Sequence, residues 1–342
     1  LVHSPPGSGG GAPALLCMSK EVYFLPRYIM KRILSMIPVF LILTFSVFIL
    51  SDFAPGNAVD IVASEQKLSQ EAYDALIHQY GLDRPILVRY GDWLLDLLKG
   101  DMGTSLRAKA PISELIAQRM GPTLILMLSG LILAVVIAIP LGVAAAFKPY
   151  SFWDNCSSTL AFIGNAMPSF FLALCALYIF SSKLGILPGN GMYSAGGQHT
   201  LGDFLLHLLM PACVVAFTLL GDIVKQTRAG LLEVLNEDYI KTARAKGLTE
   251  KVVIIKHGLR NSLIPIITVI SLSIPYIVGG AVVIEQIFGW PGIGSLMIAS
   301  IDGRDFGVVM GIATMICIIV MCCNFVLDIL YGVLDPRISR NK

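Results

Sequence analysis

The sequence predicts an all-α polytopic membrane protein with six transmembrane helices and a long external loop after the first helix. Of its 342 residues, 55% are hydrophobic and only 14% are charged, whereas soluble domains carry about 25% charged residues. The apolar residues form runs close to the ~20 residues that a helix needs to cross a bilayer. Only helices and closed barrels satisfy their own backbone in lipid, and continuous apolar runs lack the alternation of barrel strands.

Each predicted span corresponds to one apolar run, of which "ILSMIPVFLILTFSVFILSDF" is the first. The predicted spans are residues 33–53, 123–147, 157–181, 208–224, 263–284 and 308–330. The stretch between the first two includes "EAYDALIHQYGL" and "YGDWLLDLLKGD", which both have helical character. One apolar face is predicted there, made of Trp93, Leu94, Leu97 and Leu98.

Lysine and arginine are concentrated in alternate connections, which we therefore assign to the cytoplasm. Lys31 and Arg32 precede the first span, Lys148 follows the second, and eight basic residues lie between the fourth and fifth. The connection 184–207 contains no lysine or arginine. Both termini are therefore predicted to be cytoplasmic, and the long stretch after the first span is predicted to be external.

The predicted spans divide the chain into parts. Residues 1–18 begin with Leu, are rich in Gly, Pro and Ser, and are expected to be a disordered leader or tag. Residues 19–53 form an N-terminal tail and the first span, and residues 54–121 an extracytoplasmic loop domain. Residues 122–335 form the membrane core with the other five spans, and residues 336–342 a cytoplasmic tail.

Between the fourth and fifth spans, charges cluster around one glycine in "EDYIKTARAKGLTEKVVIIKHGLRNS". Asn236 or Glu237 is suited to begin a helix and Gly247 to end it. Thr249 is suited to begin a second helix, which we expect to end near His257. The apolar face predicted for this second helix consists of Val252, Ile255 and Leu259.

A cytoplasmic helix–turn–helix with small residues at its turn has two physical uses. It can lie on lipid headgroups with its apolar face toward the bilayer. It can also insert into a groove on a cytoplasmic partner, because small side chains allow close approach. The residues by themselves leave both uses open.

This segment resembles the "EAA" loop of importer-type ABC transporter permeases, the inner-membrane components of binding-protein-dependent transport systems. That loop reads Glu-Ala-Ala, three residues, Gly, nine residues, Ile-x-Leu-Pro. Here residues 241–243 stand for Glu-Ala-Ala and residues 257–260 for Ile-x-Leu-Pro, while Ala243, Gly247 and Leu259 match literally. The forms "DYIKTARAKGL" and "HGLRNSLIP" resemble the oligopeptide, dipeptide and nickel branch of the family.

Other stretches are similar to the same branch and occur in the same order. They are "YGLDRPILVRYGDWLLDLLKGDMGTSLR", "LGILPGNG", "IEQIFGWPGIG" and "LYGVLDPRI". The resemblance extends over residues 27–338. It implies the type I ABC importer (MetI-like) permease fold and a location in the bacterial inner (plasma) membrane.

The resemblance also implies a transport subunit that is not itself an enzyme. A second homologous permease subunit would complete the translocation pathway, and two cytoplasmic ATPases would hold ATP and Mg²⁺. A binding protein would deliver di- or oligopeptides from outside, and the external loop would receive it or serve as a self-contained cap. The chain has no GxxxxGK[ST] phosphate loop, so we assign it no cofactor; membrane lipid surrounds it, and no nucleic acid is expected.

The resemblance assigns coupling to the ATPases to the 236–260 loop. Ala243 and Gly247 would allow close approach to an ATPase groove, and Arg244 and Lys246 would pair with acidic residues there or remain solvated. The residues assigned to coupling are Tyr239, Ala243, Arg244, Lys246, Gly247, Leu248 and Leu259.

Residues at the outer end of the fifth span are candidates for the translocation pathway or its gate. Pro275 and Gly279 are positioned to let the span bend. Glu285 is expected to be hydrated, to pair with Arg304, or to contact a substrate amine as a gate. Phe288 and Trp290 are expected to form an outer plug or a tightly packed loop. Elsewhere, two further partners are expected: Lys225 for Asp222, and Asn324 for Asp328.

Three alternatives to a peptide importer remain at this point. A nickel permease belongs to the same branch, but His78, His199, His207 and His257 are scattered without metal-ligand spacing, and no metal site is predicted. A secondary transporter would be expected to show inverted repeats, which the sequence lacks, and would leave the charged segment unexplained. A membrane-embedded enzyme would need a catalytic constellation within its spans, and none is found.

Overall fold

The computed structural model describes residues 12–334, except positions 55, 57–58, 61–62, 64–66, 68, 80 and 198. Side chains are described from residue 29 to residue 329, except in those gaps and at 264, 272 and 274–281. Regular structure in this part of the chain is helical, apart from one isolated bridge between Thr104 and Pro111. The predicted leader and cytoplasmic tail lie outside the described residues, except that the first helix already begins at Ala12.

The helices are numbered here in chain order. They are α1 (Ala12–Phe53), α2 (Gln70–Gln79), α3 (Ile86–Leu98), α4 (Ile112–Phe147), α5 (Phe152–Ala166), α6 (Ser169–Ala176), α7 (Leu201–Leu235), α8 (Asp238–Ala245), α9 (Glu250–Val252), α10 (Arg260–Ile287), α11 (Ile293–Asp302) and α12 (Phe306–Leu334). Two stretches are π-helical: Leu177–Lys183 continues α6, and Val253–Leu259 joins α9 to α10.

Six spans are present when each bent pair of helices counts as one. Among the described residues, four helices are long and apolar enough to cross a membrane alone: Ile29–Phe53, Ile112–Phe147, Leu201–Leu235 and Phe306–Ile329. The other two spans are the pair Phe152–Ala166 with Ser169–Lys183, and the pair Glu250–Leu263 with Pro265–Ser271. The predicted all-helical, six-span membrane fold is thereby confirmed.

The third span differs from the single straight helix that its apolar run suggests. Its two halves meet at an angle of 103°. Met167, between them, is extended, with φ −87° and ψ 126°. The next residue is Pro168, whose ring disfavours helical backbone at the residue before it. Proline therefore divides an apolar run that hydropathy alone reads as continuous.

The second span begins earlier than its apolar run. Helix α4 starts at Ile112 and reaches Phe147 over 36 residues. Its first turns carry polar residues and lie in the part of the sequence predicted as external loop. Its 36 residues correspond to roughly 54 Å at 1.5 Å per residue, which exceeds the ~30 Å hydrocarbon core. We infer that its outer turns project beyond the bilayer.

The core of the chain is the contact between α4 and α7, where small residues bring the two helices close together. Ala134 and Ala138 are completely buried in this contact. A Cβ atom on Gly130 would lie 2.4 Å from Cγ1 of Val215, and one on Gly142 would lie 2.6 Å from Cβ of Thr227. Such small residues allow close backbone approach, which is how helices associate in lipid. We call this contact the small-residue seam.

Helix α3, which the sequence predicts to be external, packs on the C-terminal part of α1 through aromatic side chains. The Tyr90 ring lies 5.0 Å from that of Phe45 and 5.8 Å from that of Trp93, between ring centroids. The Tyr90 hydroxyl is 2.9 Å from Oγ1 of Thr44. Arg89 forms an ion pair with Asp52, near the end of α1. Part of the connection between the first two spans is therefore helical and attached to the first span.

An ion pair between Arg32 in α1 and Asp328 in α12 joins the first and last spans near the end predicted to face the cytoplasm. The predicted partner of Asp328, Asn324, is therefore wrong. A guanidinium supplies a full opposite charge, which compensates a carboxylate in a low-dielectric region better than an amide does. Neither sequence spacing nor hydropathy shows that α1 lies against α12.

Candidate coupling segment and outer helix cap

The coupling segment consists of residues 236–260 and has the predicted helix–turn–helix form. Helix α7 ends at Leu235, Glu237 is the extended residue before α8, and α8 ends at Ala245. Gly247 then adopts φ +78°, a left-handed conformation that glycine takes without steric cost. Thr249 is extended and precedes Glu250, where the second helix begins. The predicted helix starts and the glycine stop are confirmed.

An apolar inner face holds the two helices of the segment together. Ile240 and Val253 are completely buried, and Ala243 is nearly so. Val234 and Leu235 at the end of α7 pack against them. Ala243 therefore faces the interior of its own chain, where its small side chain lets α8 lie close to the second helix.

Two polar contacts accompany the apolar inner face. Arg244 donates hydrogen bonds from Nη2 to Oε1 of Glu250 at 2.7 Å and from Nε to Oε2 at 3.2 Å. The hydrogen bond to Glu250 raises the pKa of the Arg244 guanidinium, which stays charged. On the other side, Nδ2 of Asn261 donates to the Tyr239 hydroxyl at 2.9 Å. Arg244 thus finds an acidic partner within its own chain.

The outward face of the segment combines apolar and basic side chains. Leu248 is 40% exposed and Ile255 is 58% exposed, and Tyr239 and Val252 are also exposed. Lys246 is exposed beside the glycine turn. Leu259 is half-buried and contributes less to this face. A Cβ atom on Gly247 would meet nothing within 4 Å. This face offers apolar surface and positive charge together.

Two residues of the apolar face predicted for the second helix, Val252 and Ile255, are exposed together on the outward face, and the third, Leu259, is half-buried. A second apolar set, Val253 and Ile254, is buried against the rest of the chain. Residues Val253–Leu259 are π-helical, so their hydrogen bonds span five residues instead of four. The second helix also continues into α10 without ending near His257.

A buried ion pair near the inner end of α7 was not anticipated from the sequence. Nε and Nη2 of Arg228 donate to the two carboxylate oxygens of Asp154 at 2.7 and 2.9 Å. The backbone N–H of Tyr150 donates to the same carboxylate at 2.8 Å. Only 5% of the Asp154 side chain is exposed. Asp154 lies in the first turn of α5, so the pair joins the third and fourth spans close to the coupling segment.

The predicted pairing of Asp222 with Lys225 is wrong. Oδ1 of Asp222 accepts a hydrogen bond from Nδ2 of Asn165 at 2.6 Å. Close packing of α5 on α7 explains this contact, because a Cβ atom on Gly221 would lie only 2.5 Å from the Ala161 carbonyl oxygen. Glycine lets the two helices meet there, and the neighbouring polar side chains then reach each other.

Glu285 is completely buried and caps the start of α11. Its Oε2 accepts from the backbone N–H of Gly294 at 2.7 Å and from that of Ser295 at 3.2 Å. Its Oε1 accepts from the Thr123 hydroxyl at 2.6 Å. A Cβ atom on Gly292 would lie 2.2 Å from the carboxylate carbon. An anion at a helix N-terminus is favoured because the first N–H groups lack partners within the helix.

The expectations that Glu285 is hydrated or pairs with Arg304 are therefore wrong. No part of Glu285 is exposed to solvent, and the Arg304 guanidinium lies beside Gly56. The sequence could not show this because α11 folds back onto the end of α10. The carboxylate joins α4, α10 and α11 in what we call the outer helix cap, defined by Thr123, Glu285, Gly292, Gly294 and Ser295.

The loop between α10 and α11 is packed inside the chain. Phe288 and Trp290 are both buried. The indole N–H of Trp290 donates to the Pro122 carbonyl at 2.9 Å, and the Phe288 carbonyl accepts from the backbone N–H of Gly191 at 2.8 Å. Phe288 and Trp290 therefore belong to a tightly packed loop, which is one of the two arrangements that the sequence suggests. Pro275 and Gly279 lie along α10, but their side-chain environment is outside the described part.

His199, before α7, and His207, in the first turns of α7, have separate environments. His207 is buried, with Nδ1 3.1 Å from the Gly191 carbonyl oxygen and Nε2 3.3 Å from Oγ of Ser194. His199 stacks on Tyr193, with ring centroids 4.4 Å apart. Within the described residues, no three His, Cys, Asp or Glu side chains are grouped as metal ligands.

This fold and segment define a class: multi-pass helical membrane proteins with a helix–glycine turn–helix between their fourth and fifth spans. The family of binding-protein-dependent transport system inner membrane components matches residues 138–340, and its N-terminal region matches residues 25–127. The chain belongs to this family of membrane permeases. The family resemblance and the branch stated from the sequence are confirmed.

Curated relatives match over almost their whole length. The oligopeptide transport system permease protein AppB of Bacillus subtilis (strain 168) is 42% identical, with 91% of this chain and 99% of that protein covered. The glutathione transport system permease protein GsiC of Salmonella typhimurium is 36% identical, with 91% and 98% covered. The dipeptide transport system permease protein DppB of Escherichia coli (strain K12) is 34% identical, with 92% and 99% covered.

Among solved structures, the inward-facing methionine ABC transporter MetNI contains a chain with a similar fold. The TM-score is 0.52 at 17% identity, over 65% of this chain and 97% of that chain. This similarity confirms the MetI-like permease fold. Membership of the family, with several apolar helices, makes this chain a multi-pass inner-membrane protein.

Proposed function

We propose that this chain is a transmembrane permease subunit of an ATP-driven importer of di- or oligopeptides. It would form half of the translocation pathway together with a second homologous permease. Two cytoplasmic ATPases would bind and hydrolyse ATP with Mg²⁺, and an extracytoplasmic binding protein would deliver the peptide. The names of the relatives described above, which are oligopeptide, glutathione and dipeptide permeases, support the peptide class.

The observation that carries this proposal is the preformed coupling segment on the basic side of the chain. Its inner face is satisfied by contacts within the chain, while Leu248, Val252 and Ile255 present apolar area outward. Exposed apolar side chains beside lysines are suited to a groove on a cytoplasmic protein. Helix α7 leads into the segment and the π-helical stretch leads out into α10, so movement of the segment would be transmitted to two spans.

The proposal also includes the orientation of the chain in the membrane and a role for the outer helix cap. Both termini and the coupling segment would be cytoplasmic, and the ordered external helix α3 would meet the binding protein. The outer helix cap, with Phe288 and Trp290, would hold the outer end of the chain closed. Glu285 would then act as a structural anion, since three donors of its own chain already occupy it.

Replacing Gly247 with arginine should prevent the ATPases from co-purifying with the tagged permease. The bulky charged side chain would protrude from the turn that enters the ATPase groove. Gly196→Arg is a matched control, because Gly196 also has a positive φ, +72° against +78°, and nothing within 4 Å of its Cβ position. The backbone strain is similar, but Gly196 lies in the opposite, external loop.

The measurement is purification of each tagged variant from its own cells in detergent, with P-loop ATPases in the eluate identified by mass spectrometry. Wild type and Gly196→Arg should retain the ATPases, and Gly247→Arg should lose them. Retention by Gly247→Arg, or absence of ATPases from the wild-type eluate, would contradict the coupling role.

Proteoliposomes that contain the purified complex should accumulate labelled peptide. Uptake should require ATP at the ATPase side and the cognate binding protein on the other side. The measurement compares labelled di- and oligopeptides with radioactive nickel under identical conditions. Uptake of nickel without peptide would overturn the peptide assignment and support a metal permease, and uptake without ATP would overturn the importer class altogether.

A further inference from the structure

We propose that Arg244 is a positioning residue that acts through Glu250 of its own chain and holds the coupling segment in its docking shape. This inference rests on the proposed function of the segment. It assigns Arg244 to a contact across the glycine turn and removes it from the set of residues that meet the ATPase directly.

Arg244 and Glu250 form a two-point contact, which we call the clasp. Both contacts use parallel donors of one guanidinium plane, at 2.7 and 3.2 Å, to the two oxygens of one carboxylate. Arg244 lies in the last turn of α8, and Glu250 is the first residue of the next helix. The pair therefore spans the turn that contains Gly247. Bidentate arginine–carboxylate pairs fix orientation as well as distance.

The pair acts at the turn itself, where the inner apolar contacts and the Asn261–Tyr239 hydrogen bond do not reach. Gly247 has no side chain, and its Cβ position has no neighbour within 4 Å. Leu248 is largely outside the apolar core. Helix α8 has only eight residues, and isolated helices of that length are unstable in water. Ile240 and Ala243 connect α8 to the second helix by apolar contact, on the side away from the turn surface.

The same contact argues against a direct role for Arg244 at an ATPase. Its Nε and Nη2 atoms already face Glu250, so an acidic residue of a partner would compete with a carboxylate of the same chain. The positive charge of Arg244 is balanced locally. Positive charge toward a partner then comes from the exposed Lys246 and Lys251.

An ion pair that is 42% and 45% exposed contributes little to the stability of the whole chain. Its effect should appear in the coupling of ATP hydrolysis to transport. Without the pair, the turn at Gly247 would bend more freely, and the coupling segment would transmit less of the ATPase movement to α7 and α10. We therefore expect the Arg244→Glu and Glu250→Arg variants to melt within a few degrees of wild type in detergent. Substrate-stimulated ATP hydrolysis by the complete complex should fall by about fivefold or more in each.

The test is the charge exchange in the complete complex. The double variant Arg244→Glu/Glu250→Arg should recover ATP hydrolysis to within about twofold of wild type, because the clasp is rebuilt in reverse. Arg244→Lys should restore only part of the activity, because an ammonium cannot make the bidentate contact. Lys246→Glu is the matched control, since Glu250→Arg should not rescue it.

Two results would overturn the clasp. One is a double variant as impaired as Arg244→Glu alone, which would mean that Arg244 meets the partner directly; the other is unchanged hydrolysis in the single variants. Failure of the proposed function is distinguishable, because the ATPases would then be absent from the wild-type complex before any variant is compared.

Discussion

Alanine in place of Arg228 should destabilise the folded chain by about 3–5 kcal/mol, because it leaves a buried carboxylate without its counter-charge. Asp154 has lost almost all contact with solvent, and Arg228 supplies two of the hydrogen bonds that its carboxylate receives. The expected observation is a lower melting temperature of the detergent-solubilised protein and a smaller yield of monodisperse protein.

The control for this variant is an exposed ion pair on the same side of the chain. Lys241 pairs with Asp238 at 2.8 Å, but both side chains are mostly exposed, so Lys241→Ala should change stability by less than about 1 kcal/mol. The double variant Asp154→Ala/Arg228→Ala should recover much of the loss, since no unpaired charge remains. Equal effects of Arg228→Ala and Lys241→Ala would contradict the buried pair.

Alanine in place of Glu285 should destabilise the outer end of the chain by about 4 kcal/mol. The change leaves the Thr123 hydroxyl and the backbone N–H groups of Gly294 and Ser295 buried without an acceptor. It also removes the carboxyl group that caps the N-terminus of α11. Trp290, which packs beside the cap, should report the change as a red-shifted fluorescence emission at lower temperature than in wild type.

Two variants bracket the effect of Glu285→Ala. Glu285→Gln keeps the size of the side chain and one acceptor oxygen, so it should cost about half as much. Gln286→Ala changes the next residue of the same helix, which is exposed, and should be nearly neutral. If Gln286→Ala and Glu285→Ala shift the melting temperature equally, the outer helix cap does not hold this end of the chain.

The number and positions of the spans could be predicted because each span corresponds to its own apolar run in the sequence. About 20 apolar residues in a row predict a span wherever it packs, and Gly247 and Thr249 mark the turn and the second helix start by backbone preference alone. The bend at Pro168 also has a local cause, although the apolar run conceals it. These features need no knowledge of neighbouring helices.

The partners of the charged residues could not be predicted, because they depend on which helices are neighbours. The sequence suggests partners one turn away for Asp222 and Asp328, and water or Arg304 for Glu285. Their partners in the structure come from other helices or from a segment that folds back. Nothing in the sequence around Asp154 indicates that it pairs with Arg228. The π-helical stretch is likewise not predictable from spacing, although the shared outward face of Val252 and Ile255 is.

The small-residue seam between α4 and α7 restricts where this chain can be re-engineered. With Val215 and Thr227 only 2.4 and 2.6 Å from the Cβ positions of Gly130 and Gly142, even one added methyl group would have to push two spans apart. Any redesign of what the importer accepts must therefore use other faces of these helices, and libraries that randomise the seam would mostly recover proteins that no longer assemble.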